Sequence, residues 1–108
     1  MVGKLYTLIW PDGSLCLAPH LKAQPFPDEE IKTSTLLEPI VGWSDVVTAL
    51  NDLALYARLG GQLPEVWELE ILAGATELVP QGAVKGGLWR HPHFIACKKA
   101  RFVRKIAP

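Results

Sequence analysis

Trp43-Ser44-Asp45-Val46-Val47-Thr48-Ala49-Leu50-Asn51-Asp52-Leu53-Ala54-Leu55-Tyr56-Ala57-Arg58-Leu59 is the one long stretch of this chain with clear helical periodicity. Val46, Val47, Leu50, Leu53, Ala54 and Ala57 recur at steps of three and four and form one apolar stripe. Ser44 is a favoured N-cap, Asp45 suits the positive end of a helix and Arg58 the negative end, and Gly60-Gly61 supplies the stop. The spacing therefore predicts a helix over about 44–59 with that stripe against the core. Asp45, Thr48, Asn51 and Asp52 fall on the opposite side, which is expected to be wet.

Around this helix the pattern is that of strands. Lys4 to Trp10 is apolar at nearly every position, with Tyr6, Leu8 and Trp10 on one side and Leu5, Thr7 and Ile9 on the other. A strand covered on both faces reads this way. Pro11-Asp12-Gly13 has the residue order of a tight turn, and Leu15 to Ala18 reads as the returning strand. Pro19 to Lys32 holds three prolines and Asp28-Glu29-Glu30 without a period, and is expected to be an exposed loop. Thr35 to Val41 is β-like, but Pro39 cannot donate to a ladder, which demotes the segment to an edge strand or an irregular one.

Beyond the helix, Pro64 opens a strand over Glu65 to Leu72, with Trp67, Leu69 and Ile71 inward and Val66, Glu68 and Glu70 outward. Gly74 to Gly87 is loop-like around a short strand at Glu77 to Val79, and Phe94 to Lys98 and Ala100 to Ile106 read as strands. No linker, repeat or low-complexity segment divides the chain. The expectation is one α+β domain over residues 1–108, a mostly antiparallel sheet of five or six strands with one amphipathic helix packed on it.

Composition narrows the class. With 108 residues, 49% of them apolar and formal charges that balance, the chain can bury one core and is not globally disordered. No apolar stretch approaches the roughly 18–20 residues that span a bilayer. The start, Met1-Val2-Gly3-Lys4-Leu5-Tyr6-Thr7, lacks the features of a secretory signal. Cys16 and Cys97 are too few for a disulfide framework, so a reducing cytoplasm is the expected location.

The zero net charge conceals an asymmetry. All 11 acidic residues lie between Asp12 and Glu77, where only Lys4, Lys22, Lys32 and Arg58 oppose them. From Val79 onward there are seven cations and no acidic side chain. Such polarity makes either a basic binding patch or a tail that neutralises acidic elements of its own domain. Lys99, Arg101 and Lys105 share a strand face with Val103 in strict alternation, while Ala100, Phe102 and Ile106 face the core. Cations about 7 Å apart along a strand can follow phosphates. Glu68 and Glu70 carry the same two-residue spacing, however, and would pair with them across a shared ladder.

Other constellations are sparse. Gly86-Gly87-Leu88-Trp89-Arg90-His91-Pro92-His93 places Trp89 beside Arg90 in a loop, a combination common at binding hot spots and stacking sites. The same Trp89 could instead fold back as a lid on the core. His91, His93 and Cys97 do not make a convincing metal set, since Pro92 constrains the pair and no second Cys/His pair exists, so no metal and no cofactor are expected. Cys16 sits on an apolar strand without a neighbouring cation to activate it. Neither Gly60-Gly61 nor Gly86-Gly87 opens a helix as a phosphate loop would.

Thr33-Ser34-Thr35 and Glu68-Leu69-Glu70 resemble two elements of the arginine-modifying ADP-ribosyltransferases, a Ser/Thr triplet on a strand and a Glu-x-Glu. The family's third element, an arginine on an early strand, is missing, and Lys4 is the only cation there. A broader likeness runs through Gly42-Trp43-Ser44-Asp45, Val66-Trp67-Glu68-Leu69-Glu70 and Ala96-Cys97-Lys98-Lys99-Ala100-Arg101-Phe102-Val103-Arg104-Lys105-Ile106. Over about two thirds of the chain these segments resemble small phage and mobile-element domains with a reduced ADP-ribosyltransferase-like fold. Those domains usually carry a Gly-x-His turn where this chain has Gly42-Trp43-Ser44.

The resemblance implies Glu70, with Glu68, as the carboxylate that would stabilise an oxocarbenium-like centre. The residues themselves favour a small cytoplasmic protein-binding module, and the resemblance implies a phage or mobile-element accessory protein that binds a host or self protein surface stoichiometrically. Trp89, Arg90, Lys99, Arg101 and Lys105 are its candidate contact residues. An ADP-ribosyltransferase-like or nucleotide-binding domain, or nucleic-acid binding through the basic C-terminal strands, are the alternatives.

Overall fold

A computed structural model describes residues 3–33, 38–78 and 94–107. Strand β1, Lys4–Ile9, is apolar on both faces and covered on both. Leu5, Thr7 and Ile9 are buried on one side and Leu8 on the other. The chain then reverses as its turn residues demand. The Gly13 amide donates to the Trp10 carbonyl at 2.8 Å, Gly13 takes φ of 91°, and Asp12 Oδ1 accepts from the Ser14 amide and hydroxyl.

The remaining elements are β2 (Ser14–Leu15), β3 (Ala18–Lys22), β4 (Glu30–Lys32), β5 (Ile40–Trp43), α1 (Val46–Leu59), β6 (Glu65–Ala73), β7 (Thr76–Leu78), β8 (Phe94–Cys97) and β9 (Lys99–Ala107). The strands form one curled sheet in the order β4-β9-β6-β1-β5-β8-β7, with β2 on β1 and β3 on β2. Its described ladders are antiparallel. The class is α+β, a single helix packed on a mostly antiparallel sheet.

The sheet has two apolar sides. One side closes on itself around Leu5, Ile9, Ile40, Trp67, Leu69 and Phe102. Trp67 meets Phe102 edge-on at 5.5 Å, a favourable aromatic geometry. The other side carries Leu8, Trp43 and Val66, and α1 lies across them with Ala49 fully buried and Leu53 and Tyr56 packed alongside. Val66 is therefore not an outward residue: it is 0% exposed beneath the helix.

Several boundaries differ from the sequence expectation for local reasons. The segment Pro19 to Lys32 is not a continuous loop, because β3 and β4 form within it as short, largely exposed strands. Pro19 lies in β3, which among the described strands pairs only with β2, so its missing N–H costs no central ladder bond. In β5 the strand begins only after Pro39, and it is no edge, since β1 and β8 flank it. Trp43 ends β5 rather than starting the helix. Asp45, not Ser44, caps α1: its Oδ1 accepts from the Val47 amide at 3.0 Å.

The largest correction concerns which side of α1 meets the sheet. Ala49, Leu53 and Tyr56 do so, whereas Val47, Leu50, Ala54 and Ala57 from the expected core stripe are exposed. Thr48 and Asp52, expected to be wet, are half-buried. Burial alone pushes the Asp52 carboxyl above its usual value of 3.8. A raised folded-state value means that ionised Asp52 weakens the fold, a penalty that sets in as pH rises through the carboxylate range. Asp52→Asn should therefore raise the thermal midpoint at neutral pH by a few degrees, on the order of 2–4 °C for ~0.5 kcal/mol. The gain should vanish in melts run below pH 3.8.

Thr7 presents a second internal polar cost. Its side chain is 0% exposed, and Oγ1 has no hydrogen-bond partner among the described residues. Thr7→Val keeps the shape and removes the buried hydroxyl, so chemical denaturation should show a gain of about 1 kcal/mol. A loss of stability would mean that Oγ1 makes a bond.

Candidate functional site

The C-terminal cations meet the acidic strands edge by edge. Antiparallel pairing of β6 with β9 sets Glu70 opposite Arg101 and Glu68 opposite Arg104. Arg101 Nη2 donates to Glu70 Oε2 at 2.7 Å, and Lys99 Nζ lies 2.9 Å from Glu30 Oε1 on the neighbouring edge strand. Lys105 Nζ lies 3.5 Å from Glu65 Oε2, whose other oxygen accepts from Trp67 Nε1. The Glu70 carboxylate beside Arg101 holds the guanidinium above its ordinary value, and Lys99 holds the Glu30 carboxyl below its own. Lys99, Arg101 and Lys105 are thus each in an ion pair within the domain.

Strict alternation along β9 fails at Val103. Leu69 stands opposite Phe102 and Glu68 opposite Arg104, so Val103 is the extra residue of a bulge. Past it the faces exchange. Arg104 continues the row of Lys99 and Arg101, Lys105 turns to the Trp67 side, and Ile106 joins the cluster under the helix instead of the core within the curl.

Glu68 is the most enclosed charge among the described residues. Its side chain is 4% exposed, with Lys4 Nζ at 3.8 Å, Arg104 Nε at 3.5 Å and the Tyr6 hydroxyl donating at 3.4 Å. Burial, then the Glu68 charge, raises the Tyr6 phenol above its usual value. Lys4 and Arg104 are largely solvated, so each alone is expected to contribute below ~1 kcal/mol. Removing both leaves a buried carboxylate facing only a phenol. The double variant Lys4→Ala/Arg104→Ala should cost about 2–3 kcal/mol, more than the two singles together, and a double-mutant cycle in urea measures the excess. Simple additivity would show that solvent reaches Glu68.

Other features of chemical interest are modest. Cys16 Sγ lies 3.4 Å from the Tyr56 hydroxyl, and this contact, with burial, pushes the phenol up to about 12. Cys97 is 1% exposed in the core within the curl, and that burial pushes its thiol up to about 11, away from the thiolate form. A cleft of about 230 Å³ opens beside Trp10, Pro25, Leu63 and Glu65, but Glu65 already serves Trp67 and Lys105. Among the described residues there is no group of three or more His, Cys, Asp or Glu that could hold a metal, and no helix long and apolar enough to cross a membrane. Trp89, Arg90, His91 and His93, and Ser34-Thr35 of the Thr/Ser triplet, lie outside the described residues.

The feature that sequence reasoning misplaced is the outer surface of α1. Val47 is 56% exposed, Leu50 36%, Leu55 55% and Leu59 81%, with Leu63 close behind in sequence at 43%. Only Thr48, Asn51, Asp52 and Arg58 interrupt an otherwise apolar helix. Periodicity could therefore not choose the buried side. The available signal was Ala49-Leu53-Tyr56, the stripe that contains the helix's one aromatic residue. Comparison of the chain with protein families, with curated proteins and with solved structures returns no match.

Proposed function

We propose that this protein is a protein-binding module, a phage or mobile-element accessory protein that acts by stoichiometric occupation of a protein surface through the outer side of α1. The observation that carries this reading is the exposure of Val47, Leu50, Leu55 and Leu59 on a single helix. Large apolar side chains gathered on one element mark contact surfaces, whereas singly scattered ones do not. The resemblance to small phage and mobile-element domains supports the accessory role. The pairing of Lys99, Arg101 and Lys105 with carboxylates leaves the helix as the better candidate contact surface.

The test is capture of a stoichiometric complex from bacterial lysate by the tagged protein and by Leu55→Arg/Leu59→Arg. Both side chains are exposed, so the variant should melt like the parent chain. The reading expects a partner band that the parent retains and the variant loses. Equal retention by both would overturn it.

A further inference from the structure

We propose that Lys4 and Arg104, set on either side of the enclosed Glu68 carboxylate, form a binding site for a single phosphate group on the part of the sheet that α1 leaves uncovered. Tyr6 of β1, Glu68 of β6 and Arg104 of β9 stand level across three strands, and Lys4, Glu70 and Arg101 form the next row. Side chains two residues apart on a strand share a face, so both rows lie beyond Leu8 and Val66, where the helix packs. The side chains of Lys4 and Arg104 are 60% and 67% exposed there. The site is separate from the outer side of α1 and does not depend on the reading of that surface.

The charges in the two rows are matched unequally. Arg101 donates a terminal nitrogen to Glu70 at 2.7 Å, a closed pair. Glu68 instead faces two cations, with Lys4 Nζ 3.8 Å from one oxygen and Arg104 Nε 3.5 Å from the other. One positive charge is therefore left over. Arg104 comes nearest to Glu68 through Nε, so its forked end is left towards solvent. A guanidinium steadied at Nε keeps its terminal N–H donors in the planar fork that matches phosphate oxygens, and Lys4 adds a point charge from the β1 side. Asp45, the acid that α1 brings towards Tyr6, is engaged by the Val47 amide.

Two independent observations point to a ligand rather than to stability. The bulge at Val103 is what turns Arg104 onto this face, and bulges recur beside functional sites, where they re-aim a side chain. Glu68, with its side chain 4% exposed, has no partner among the described residues nearer than the Tyr6 hydroxyl at 3.4 Å. A buried carboxylate whose partners are held so loosely adds little to stability, and an apolar side chain of like size would hold the strands at least as well. Such departures from good packing are expected at functional sites. The ligand is a single phosphate group and not a polyanion, because Lys99, Arg101 and Lys105 are already paired and offer no track for further phosphates.

The test is a magnetic-resonance titration of the isotope-labelled intact chain with inorganic phosphate, sodium chloride holding the ionic strength constant. The Arg104 Nε–H signal should shift and saturate in the millimolar range. Arg104→Gln should weaken binding ~10-fold or more, the loss of charge-assisted hydrogen bonds, and Lys4→Gln ~3-fold. Arg104→Lys keeps the charge without the fork and should recover only part of the loss. Each single variant leaves Glu68 one cation and should fold. Lys105→Gln removes the neighbouring charge on the opposite face and should bind phosphate as the parent chain does, as should Leu55→Arg/Leu59→Arg. Phenyl phosphate separates the two sources of the group: tighter binding than inorganic phosphate assigns the site to a phosphate ester, equal or weaker binding to the free ion, and either supports it.

No saturating shift at Arg104 with tens of millimolar phosphate overturns the site. So does an equal loss of affinity in Lys105→Gln, which would mean diffuse attraction to the whole of β9. Binding of a short oligonucleotide with a salt slope of several phosphates overturns it too, in favour of a phosphate track along that strand. If phosphate fails to bind while capture of a partner through α1 succeeds, the binding-module reading stands and only the phosphate site falls. The reverse result leaves the site standing alone.

Discussion

Phe102→Ala should cost ~3–5 kcal/mol of folding stability, a large part of the ~5–15 kcal/mol that holds a domain of this size folded. Phe102 is 0% exposed and stands on β9 opposite Leu69 of β6, the longest described pairing in the sheet. Its ring packs edge-on against Trp67, and the same cluster draws in Leu5 from β1, Ile40 from β5 and Ile95 from β8. Truncation therefore opens a cavity that five strands line, and rigid strands collapse poorly into such a space. A urea melt should show a much lower midpoint with the slope preserved. Val103→Ala supplies the internal comparison. Val103 is the bulged neighbour, half-buried and outside that cluster, so its loss should stay within ~1 kcal/mol. Similar costs at 102 and 103 would mean that Val103 also reaches the core and that Phe102 is not its centre.

The difference between those two residues also shows what the sequence could and could not reveal. Strands whose two faces have distinct roles were legible. Lys4–Ile9 and Glu65–Ala73 lie within a residue of the expected bounds, because both are long, apolar and bordered by Pro or Gly turns. The cross-strand neutralisation of Glu70 by Arg101 was legible too, since matched two-residue spacing on neighbouring strands leads to it directly. Bulges were not legible. Nothing in Phe102-Val103-Arg104 announces an extra residue, yet one insertion exchanges the roles of Arg104 and Lys105 and moves Ile106 from one core to the other.

The helix failed for a different reason. Existence and C-terminal end were clear from periodicity and Gly60-Gly61, but ten of the fourteen residues in α1 are apolar or Tyr. Such a helix offers two stripes, and the bulkier-looking one lost to Ala49-Leu53-Tyr56, whose small member Ala49 is fully buried in the cluster with Trp43 and Val66. The candidate contact surface follows from that choice. It is visible only when the buried side is known, since exposure is what separates an interaction stripe from a core stripe.

Gly42→Ala should be the most damaging single-methyl change described in the molecule, costing ~2–4 kcal/mol by overpacking. A Cβ at Gly42 would collide with Leu5 Cδ1 and sit 2.7 Å from the Tyr6 carbonyl oxygen. The Leu5 side chain has nowhere to go, because it is 0% exposed in the core within the curl. The Tyr6 carbonyl is less yielding still, since β1 is held on its other edge by six register pairs with β6. The strain must fall on β5, which would draw away from β1 and lift Trp43 from its place beside Leu8 and Phe94 beneath α1. Loss of stability should thus come with a change in the near-ultraviolet signal of Trp43. Gly3→Ala is the control: nothing lies within 4 Å of its Cβ, and it should be close to neutral. If Gly42→Ala proves as mild as Gly3→Ala, β1 and β5 are not in close contact and the covered side of α1 needs revision. If it is as damaging as expected, close approach of two backbones is sufficient reason for the glycine of Gly42-Trp43-Ser44, with no substrate required to explain it.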